Sequence, residues 1–207
     1  MPQIHKKKSL KKRICAIVKM TAGDKNMEEL KSLFFTPEAV LVIGTFDENG
    51  VPNAMNAAWG IQSDYHEITV FLGSHKTTDN LKLKGECTIA FATRSTVKAA
   101  DYFGVETGRN VNKIEKAGIG WKKADDVDAP AFEGFPVVLE CRVKNLNEDY
   151  TLTAEVVKTL ADPSVLTDGK IDLKKLDPVF FDVSSSQYFT VGEAAGKAFS
   201  MGLELKK

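Results

Sequence analysis

The sequence predicts a mainly β protein, built as an antiparallel β-barrel or sandwich with a few helical insertions. Two observations support this fold class. Short apolar runs rich in Val, Ile, Phe and Thr recur along the chain, and most of them are separated by hairpin-length turns rather than by helices. Parallel strands would need longer crossover connections. The 207 residues are enough for one large domain and too few for two of ordinary size.

The first predicted strands form a hairpin. Residues 39–46 (AVLVIGTF) are apolar on both faces, as in a central strand, and the DENG sequence at 47–50 is a favourable turn. Residues 51–61 (VPNAMNAAWGI) are the predicted partner of this strand. Residues 68–73 (ITVFLG) follow a second turn and form a third strand.

Helical segments interrupt the strands in the middle of the chain. A short helix is predicted from Thr77 to Gly85, because glycine commonly follows the last turn of a helix. Residues 87–94 (CTIAFATR) form a fourth strand. Residues 96–117 have a helical pattern with a break at Gly108.

The last third of the chain returns to strands after a polar loop that contains Pro130 and Pro136. Residues 136–146 (PVVLECRVKNL) alternate in polarity, and residues 151–157 (TLTAEVV) pair with them across a short turn. The stretches PVFFDV and QYFTVG complete the set. The alternation predicts inward side chains at Val137, Leu139, Cys141 and Val143 and outward side chains at Glu140, Arg142 and Lys144.

The charges are distributed unevenly between a basic start and an acidic body. The chain has 28 basic and 28 acidic residues, but residues 1–19 carry seven of the basic ones and no acid. The remaining body is mildly acidic, which is a poor match for nucleic acid. We interpret residues 1–26 as a basic tail outside the core and residues 27–207 as a single domain; a nucleic-acid arm, a membrane-surface tail or a targeting segment are the alternatives.

Cysteine, histidine and hydropathy set further limits. The three cysteines form no C-x-x-C pair, which favours a reducing cytoplasm. The three histidines lie too far apart in sequence to suggest a zinc site, so no metal is expected. No apolar stretch is long enough to span a membrane, and no membrane partner is expected.

The stretch GVPNAMNAAWG at 50–60 is unusual for a strand next to a buried one. Its two faces differ, and one of them has almost no bulk. Small residues let a backbone approach a flat ligand or another chain, but they also fit a crowded barrel interior, so both explanations stay open. The low-bulk face consists of Pro52, Ala54, Asn56, Ala58 and Gly60.

The stretch SHKTTDNLK at 74–82 lies where a strand gives way to a helix. The free N–H groups at a helix start attract anions, and Lys76 adds a full charge. The alternative is an ordinary cap with Thr77 or Thr78 at the N-cap position and Asp79 in the first turn. The sequence has no phosphate-binding P-loop, no complete G-x-G-x-x-G and no G-x-S-x-G, so nucleotide hydrolysis and serine esterase chemistry have no support.

These two stretches carry a resemblance to a known family. VLVIGTFDENGVPNAMNAAWG followed by SHKTTDNLK resembles the flavin reductase-like family of FMN-binding split barrels, near its flavoredoxin branch. The likeness continues through ADYFGVETGRNVNKIEKAG, PVVLECRV, AEVVKT and YFTVGEAAGKAF, and it covers roughly residues 30–200. The resemblance implies a six-stranded antiparallel split β-barrel, a homodimer, and FMN held near the subunit interface.

The resemblance also implies roles for individual residues. The isoalloxazine and ribityl groups of FMN would lie along Asn53, Ala54, Met55, Asn56, Ala57, Ala58 and Trp59. The phosphate would be held by Ser74, His75, Lys76, Thr77, Thr78 and Asn80. The region over the ring would consist of Tyr102, Gly108, Asn110 and Lys113. The rest of the wall would come from a second subunit, with residues 131–136 (AFEGFP) and 188–199 (YFTVGEAAGKAF) as its source. No side chain is expected to act as a catalytic acid or base.

Two functions fit the resemblance. The first is an NAD(P)H-dependent flavin oxidoreductase, and the second is a flavoredoxin-type electron carrier or flavin-binding module that docks on a redox protein. Two departures from the family keep the second open. Asn112 stands where an acid is frequent, and Asp149-Tyr150 stands where many members carry a histidine.

Overall fold

The computed structural model describes residue 29, residue 31 and residues 34–206. From Phe35 onward the described chain forms one compact unit. The predicted tail at 1–26 lies outside the described residues, so its boundary with a 27–207 domain stays a prediction. In the described part of the chain, no helix combines the length and the apolar character that crossing a membrane would require.

A seven-stranded antiparallel sheet forms the body of this unit, which confirms the predicted fold class. Each strand pairs with the next one in the order given below, and every pairing is antiparallel. Across the sheet the strands are β3 (Pro52–Ala57), β2 (Leu41–Phe46), β6 (Glu86–Phe91), β9 (Val137–Leu146), β10 (Thr151–Ala161), β5 (Glu67–Phe71) and β4 (Gly60–Asp64).

The two edge strands of this sheet are consecutive in the sequence. Only Ala58 and Trp59 separate β3 at one edge from β4 at the other. Two residues span no more than about 10 Å between the flanking Cα atoms, so the sheet must curl until its edges meet at this corner. When β3 and β4 are counted as one bent strand, the barrel has the six strands that the family resemblance implies.

The prediction of one straight strand over 51–61 is wrong beyond Ala57. The chain bends there, and β4 pairs with β5 instead of β2. The peptide N–H of Phe71 donates to the Trp59 carbonyl at 2.8 Å, at the start of this new pairing. Gly60 permits the bend, because a Cβ atom there would lie 2.9 Å from Cδ1 of Leu41.

Two apolar clusters fill the two sides of the sheet. The barrel interior contains Ile43, Ile89 and Leu152, and none of them is exposed. The opposite face is covered by helix α2 (Val97–Val105), whose Phe103 packs in a cluster with Val42. Strand β2 is therefore buried on both faces, as its apolar sequence predicts.

The predicted helices are confirmed. Helix α1 (Lys76–Lys84) ends at Gly85, which has a left-handed φ of 67°. The predicted break after α2 separates it from the five-residue helix α3 (Lys113–Ala117). A further short helix, α4 (Leu173–Leu176), and 3₁₀ turns at Pro163–Val165 and Met201–Lys206 complete the helical elements of the described residues.

The segment predicted as a polar loop contains an additional strand pair, β7 (Trp121–Lys123) with β8 (Pro130–Phe132). This segment also explains why the prediction of an outward Glu140 is wrong. Glu140 is fully buried, and its carboxylate accepts the peptide N–H groups of Asp125 and Asp126 at 3.3 and 2.7 Å. The residues between β7 and β8 thus cover the face of β9 that the alternation assigned to solvent.

The final predicted strands form a separate sheet rather than extending the barrel. Strand β13 (Val179–Asp182) pairs with β14 (Gln187–Thr190) and with the two-residue strand β1 (Glu38–Ala39). A small hairpin, β11 (Leu166–Thr167) with β12 (Lys170–Ile171), precedes it. The three-stranded sheet places the side chains of Phe181 and Tyr188 together, with ring centroids 5.9 Å apart.

Gly44 tests the packing between the sheet and β8. A Cβ atom on Gly44 would lie 2.6 Å from the carbonyl oxygen of Pro130 and 2.8 Å from the Phe132 ring. We therefore expect Gly44→Ala to lower the free energy of unfolding in urea by about 1–3 kcal/mol. Gly192→Ala is the matched control, because no atom lies within 4 Å of its Cβ position. Equal stability of the two variants would contradict this packing.

Candidate functional site

A continuous cleft runs along β3 at the corner where the sheet edges meet. It consists of three adjoining concavities of about 480, 350 and 200 Å³. The first two share lining residues, as do the second and third, so they form one elongated site. The residues common to the first two are Met55, Asn56, His75 and Gly104. Those common to the second and third are Asn53, Lys76 and Gly108.

One end of the cleft is aromatic. Its rim includes Trp59 and Phe71, which are 57% and 53% exposed. Phe181 and Tyr188 also line this rim. Between them the lining is formed by small residues, Ala57 and Ala58 from the end of β3 and Gly73 from the segment before α1. This combination suits a flat apolar group that lies against backbone and ring faces.

Tyr188 joins three elements at this end. Its hydroxyl donates to Oδ1 of Asp101 on α2 at 2.8 Å and accepts from Nδ2 of Asn56 on β3 at 3.4 Å. Burial, and next the hydrogen bond to Asp101, raise the pKa of Tyr188 to about 12. The hydroxyl therefore stays protonated at neutral pH. The sequence prediction placed Tyr188, within residues 188–199, in the wall supplied by a second subunit, whereas the folding of β14 onto β13 brings it to the cleft of its own chain.

The other end of the cleft is polar and contains the start of α1. The first-turn N–H groups of Lys76 and Thr77 have no acceptor within the helix. The amide of Asn53 donates to Oγ1 of Thr77 at 2.7 Å and fixes this turn against β3. Burial, with the nearby Lys113 and Arg109 charges, lowers the pKa of His75, which keeps its imidazole neutral. These groups together offer donors to an anion.

The charges at this end are only partly balanced. The Nζ atom of Lys76 lies 3.6 and 3.7 Å from carboxylate oxygens of Asp47 and Glu48. Arg109 forms an ion pair with Asp79 at 2.7 Å. This pair balances the carboxylate that would otherwise repel an anion at the helix start. The polar end of the cleft therefore keeps cationic side chains beside the start of a helix, an arrangement that favours an anion.

Lys113 is the least compensated of these cations. It is 5% exposed, and its Nζ donates to the carbonyl oxygen of Phe103 at 2.7 Å. Among the described residues it forms no ion pair with a carboxylate. Burial lowers the pKa of Lys113 from 10.5 to about 8. An anion in the cleft would supply the missing counter-charge.

The structure brings twelve of the predicted site residues together in the lining of this cleft. They span its whole length, from the aromatic end to the polar end. They are Asn53, Met55, Asn56, Ala57, Ala58, Trp59, His75, Lys76, Thr77, Gly108, Asn110 and Lys113.

Five predicted residues lie outside the lining. Ala54 has no exposed surface and packs in the cluster that contains Phe103, so this part of the bare strand face is a packing surface under α2. The buried Thr78 hydroxyl accepts from the His75 N–H at 2.9 Å, as a helix cap does. The buried Asn80 donates to Oγ1 of Thr45 at 3.0 Å. Ser74 and Tyr102 are the other two.

The two departures from the family pattern lie in different places. Asn112 lines the polar end of the cleft, where its side chain caps α3 by accepting from the Glu115 N–H at 3.2 Å. Tyr150 is outside the lining and lies under the ammonium group of Lys82, 4.8 Å from the ring centroid. Only the first of them therefore borders the cleft.

The barrel has the fold of a flavin reductase-like split barrel. Residues 33–168 match the family described as "Flavin reductase like domain", and the chain belongs to this family. Flavoredoxin of Desulfovibrio vulgaris (Miyazaki F) is 32% identical, with 85% of this chain and 99% of that chain covered and a TM-score of 0.81. The resemblance seen in the sequence is confirmed.

Two further solved structures extend the comparison. Flavoredoxin from Methanosarcina acetivorans is 26% identical, covers 88% of this chain over 100% of its own length, and has a TM-score of 0.78. Nitrilotriacetate monooxygenase component B from Bacillus cereus shares the fold at 18% identity, with 85% and 98% coverage and a TM-score of 0.72. No curated protein matches the sequence.

The depressed pKa of Lys113 predicts a specific pH dependence of stability. The unfolded chain binds this proton up to pH 10.5, whereas the folded protein releases it above about pH 8. The unfolded state therefore holds more protons between these values, and folding stability rises with pH there. We expect the free energy of unfolding of the native protein, minus that of Lys113→Met, to increase from pH 8 to pH 10.5. A constant difference in urea titrations would show that Lys113 is not desolvated.

Proposed function

We propose that this protein is an FMN-binding redox flavoprotein of the flavin reductase type, which transfers hydride or electrons between NAD(P)H and flavin or a redox partner. The observation that carries the proposal is Lys113, a buried cation without an ion-pair partner among the described residues, which lines the same concavity as Lys76 and Thr77 at the start of α1. A phosphorylated planar ring fits a cleft that is cationic at one end and aromatic at the other.

The residues present fit FMN from end to end. The phosphate would be held by the first turn of α1, by Thr77 and by the Lys76 and Lys113 ammonium groups. The ring system would lie against Ala57, Ala58 and the rim aromatics. When bound, FMN supplies hydride or electron transfer, which no side chain of this cleft can perform.

The chain's own residues orient and shield this site. The amides of Asn53 and Asn56 are held by Thr77 and Tyr188, so both are oriented before a ligand enters. The rim aromatics give this end of the cleft an apolar lining for a flat ring. The rim is half exposed, which leaves room for a pyridine nucleotide as electron donor.

The remaining parts of the proposal concern partners and location. We propose a homodimer in the cytoplasm, with a pyridine nucleotide or a redox protein as electron partner and neither nucleic acid nor membrane. The similarity to two proteins named flavoredoxin favours a second candidate, an electron carrier without a small-molecule substrate. Both functions use the same cleft. They differ in whether a pyridine nucleotide, either NADH or NADPH, can reach the face of the flavin ring.

Lys76 tests the phosphate end of the cleft. Lys76→Ala removes a cation and leaves Asp47 and Glu48 unpaired near the helix start. It should weaken FMN by about 1.5–3 kcal/mol and riboflavin much less, because only FMN has the phosphate. Lys82→Ala on the same helix changes the charge equally outside the cleft and is the control. Equal losses of both ligands, measured by quenching of flavin fluorescence, would place Lys76 away from the phosphate.

Anaerobic mixing with NADH or NADPH tests the reaction. We expect the protein to bind FMN, and the bound flavin to bleach at a rate that saturates with the nucleotide. Bleaching by dithionite but not by either nucleotide would select the electron carrier instead. A protein that takes up no FMN in equilibrium dialysis would refute both functions.

A further inference from the structure

Three side chains from separate elements form a hydrogen-bonded chain at the aromatic end of the cleft. Asp101 lies on α2, Tyr188 on β14 and Asn56 on β3. The Tyr188 hydroxyl lies 2.8 Å from Oδ1 of Asp101 and 3.4 Å from Nδ2 of Asn56. Asn56 and Tyr188 line the cleft, whereas Asp101 does not. The chain of bonds therefore begins outside the cleft and ends on its wall.

The chemistry of Asp101 determines the direction of these bonds. A carboxylate has acceptor atoms only, so the Tyr188 O–H has to point at Asp101. The phenol has one hydrogen, and its oxygen can then only accept from the neighbouring amide. Asn56 must therefore present Nδ2 to Tyr188, because its Oδ1 atom has no hydrogen to donate. As a result, Oδ1 of Asn56 lies on the side of the amide that is turned away from Tyr188.

Packing against α2 supports the same orientation of the amide. A Cβ atom on Gly104 would lie 3.6 Å from Nδ2 of Asn56, and Oδ1 is not among the three nearest atoms. Nδ2 therefore faces the helix as well as Tyr188. The Tyr188 ring is held in turn by Phe181, directly opposite on β13, with the ring centroids 5.9 Å apart. Among the described residues, no side chain donates a hydrogen bond to Oδ1, so this acceptor is available to a ligand.

The proposed ligand has a donor that matches this acceptor. The oxidised isoalloxazine ring of FMN has one N–H group, at N3, between two carbonyl groups. Burying such a donor without a partner costs more than a hydrogen bond contributes, so a ring site needs an acceptor for it. Of the described side chains that line the aromatic end of the cleft, only Asn56 carries a carbonyl oxygen.

We infer that Tyr188, held by Asp101, is a positioning residue that fixes the Asn56 amide with Oδ1 toward the cleft, so that the site selects a planar ring with an N–H group at its edge. For FMN this group is N3–H. The inference rests on the proposed function, because FMN is the ligand that it concerns.

The first test compares FMN with 3-methyl-FMN, in which a methyl group replaces the hydrogen at N3. The two ligands carry the same phosphate, so their contacts at the polar end of the cleft are equal. The native protein should bind 3-methyl-FMN at least about tenfold more weakly, measured by quenching of flavin fluorescence. Tyr188→Phe should reduce this affinity ratio to about threefold or less, because the amide can then turn and offer Nδ2 instead of Oδ1. Tyr65→Phe is the matched control, because it removes the same hydroxyl from a residue that is 90% exposed outside the cleft, and it should keep the native ratio.

Two further variants separate positioning from a general loss of structure. Asp101→Asn keeps the Tyr188 hydroxyl but allows it to point either way, since an amide both donates and accepts, so the affinity ratio should fall here too. In a double-mutant cycle, Asn56→Leu with Tyr188→Phe should give the same ratio as Asn56→Leu alone, because the tyrosine acts only through the amide. Thermal melting checks that every variant folds.

The outcomes distinguish this inference from the proposed function. An affinity ratio at the native value in Tyr188→Phe or in Asp101→Asn would overturn the inference. A native protein that binds FMN and 3-methyl-FMN equally well would also overturn it and leave the proposed function intact. A native protein that takes up neither flavin would refute the proposed function itself.

Discussion

The bend at Ala58 and Trp59 is the constraint on which the structure depends. It joins the two edges of the main sheet through two residues, so the sheet has to curl. The same bend puts the end of β3 beside the end of β5, and the chain leaves β5 directly into α1. The small residues of β3, the rim aromatics and the helix start therefore meet at one corner. The cleft is a consequence of closing the barrel, and no additional domain is needed to form it.

Polar contacts hold that corner in place and leave charge available. The amide of Asn53 is hydrogen-bonded to Thr77, and the hydroxyl of Thr78 caps the helix. The carboxylate of Asp79 forms an ion pair with Arg109. Each of these bonds satisfies a group that would otherwise compete for a ligand. Lys113 is the exception, because its only described hydrogen-bond partner is a carbonyl oxygen and the nearby Glu106 carboxylate forms no ion pair with it. A buried cation of this kind costs stability in the free protein, and proteins keep such costs most often where a ligand removes them.

Most of the fold could be predicted from the sequence, because local patterns encode it, whereas the residues of the cleft were expected mainly from the resemblance to the family. The apolar run of β2, the turn after it and the glycine at the end of α1 each act over a few residues, and all three were right. The predicted outward orientation of Glu140 was wrong, because a distant segment covers its face of β9. The position of Tyr188 in the cleft of its own chain was not predicted for the same reason, since it exists only when β14 reaches α2. Contacts between segments far apart in sequence carry no local signal.

The low bulk of β3 has two causes, and they act on successive residues of the same face. At Ala54 the small side chain admits Phe103 and the rest of α2, which is a packing requirement. At Asn56 the helix still approaches closely, since a Cβ atom on Gly104 would lie 3.1 Å from that of Asn56, but the amide already faces the cleft. At Ala58 the small side chain lines the open concavity. The packing alternative is therefore correct for Ala54, and ligand binding along the rest of the strand stays a prediction. On this face the transition falls at Asn56, two residues before the strand bends at Ala58.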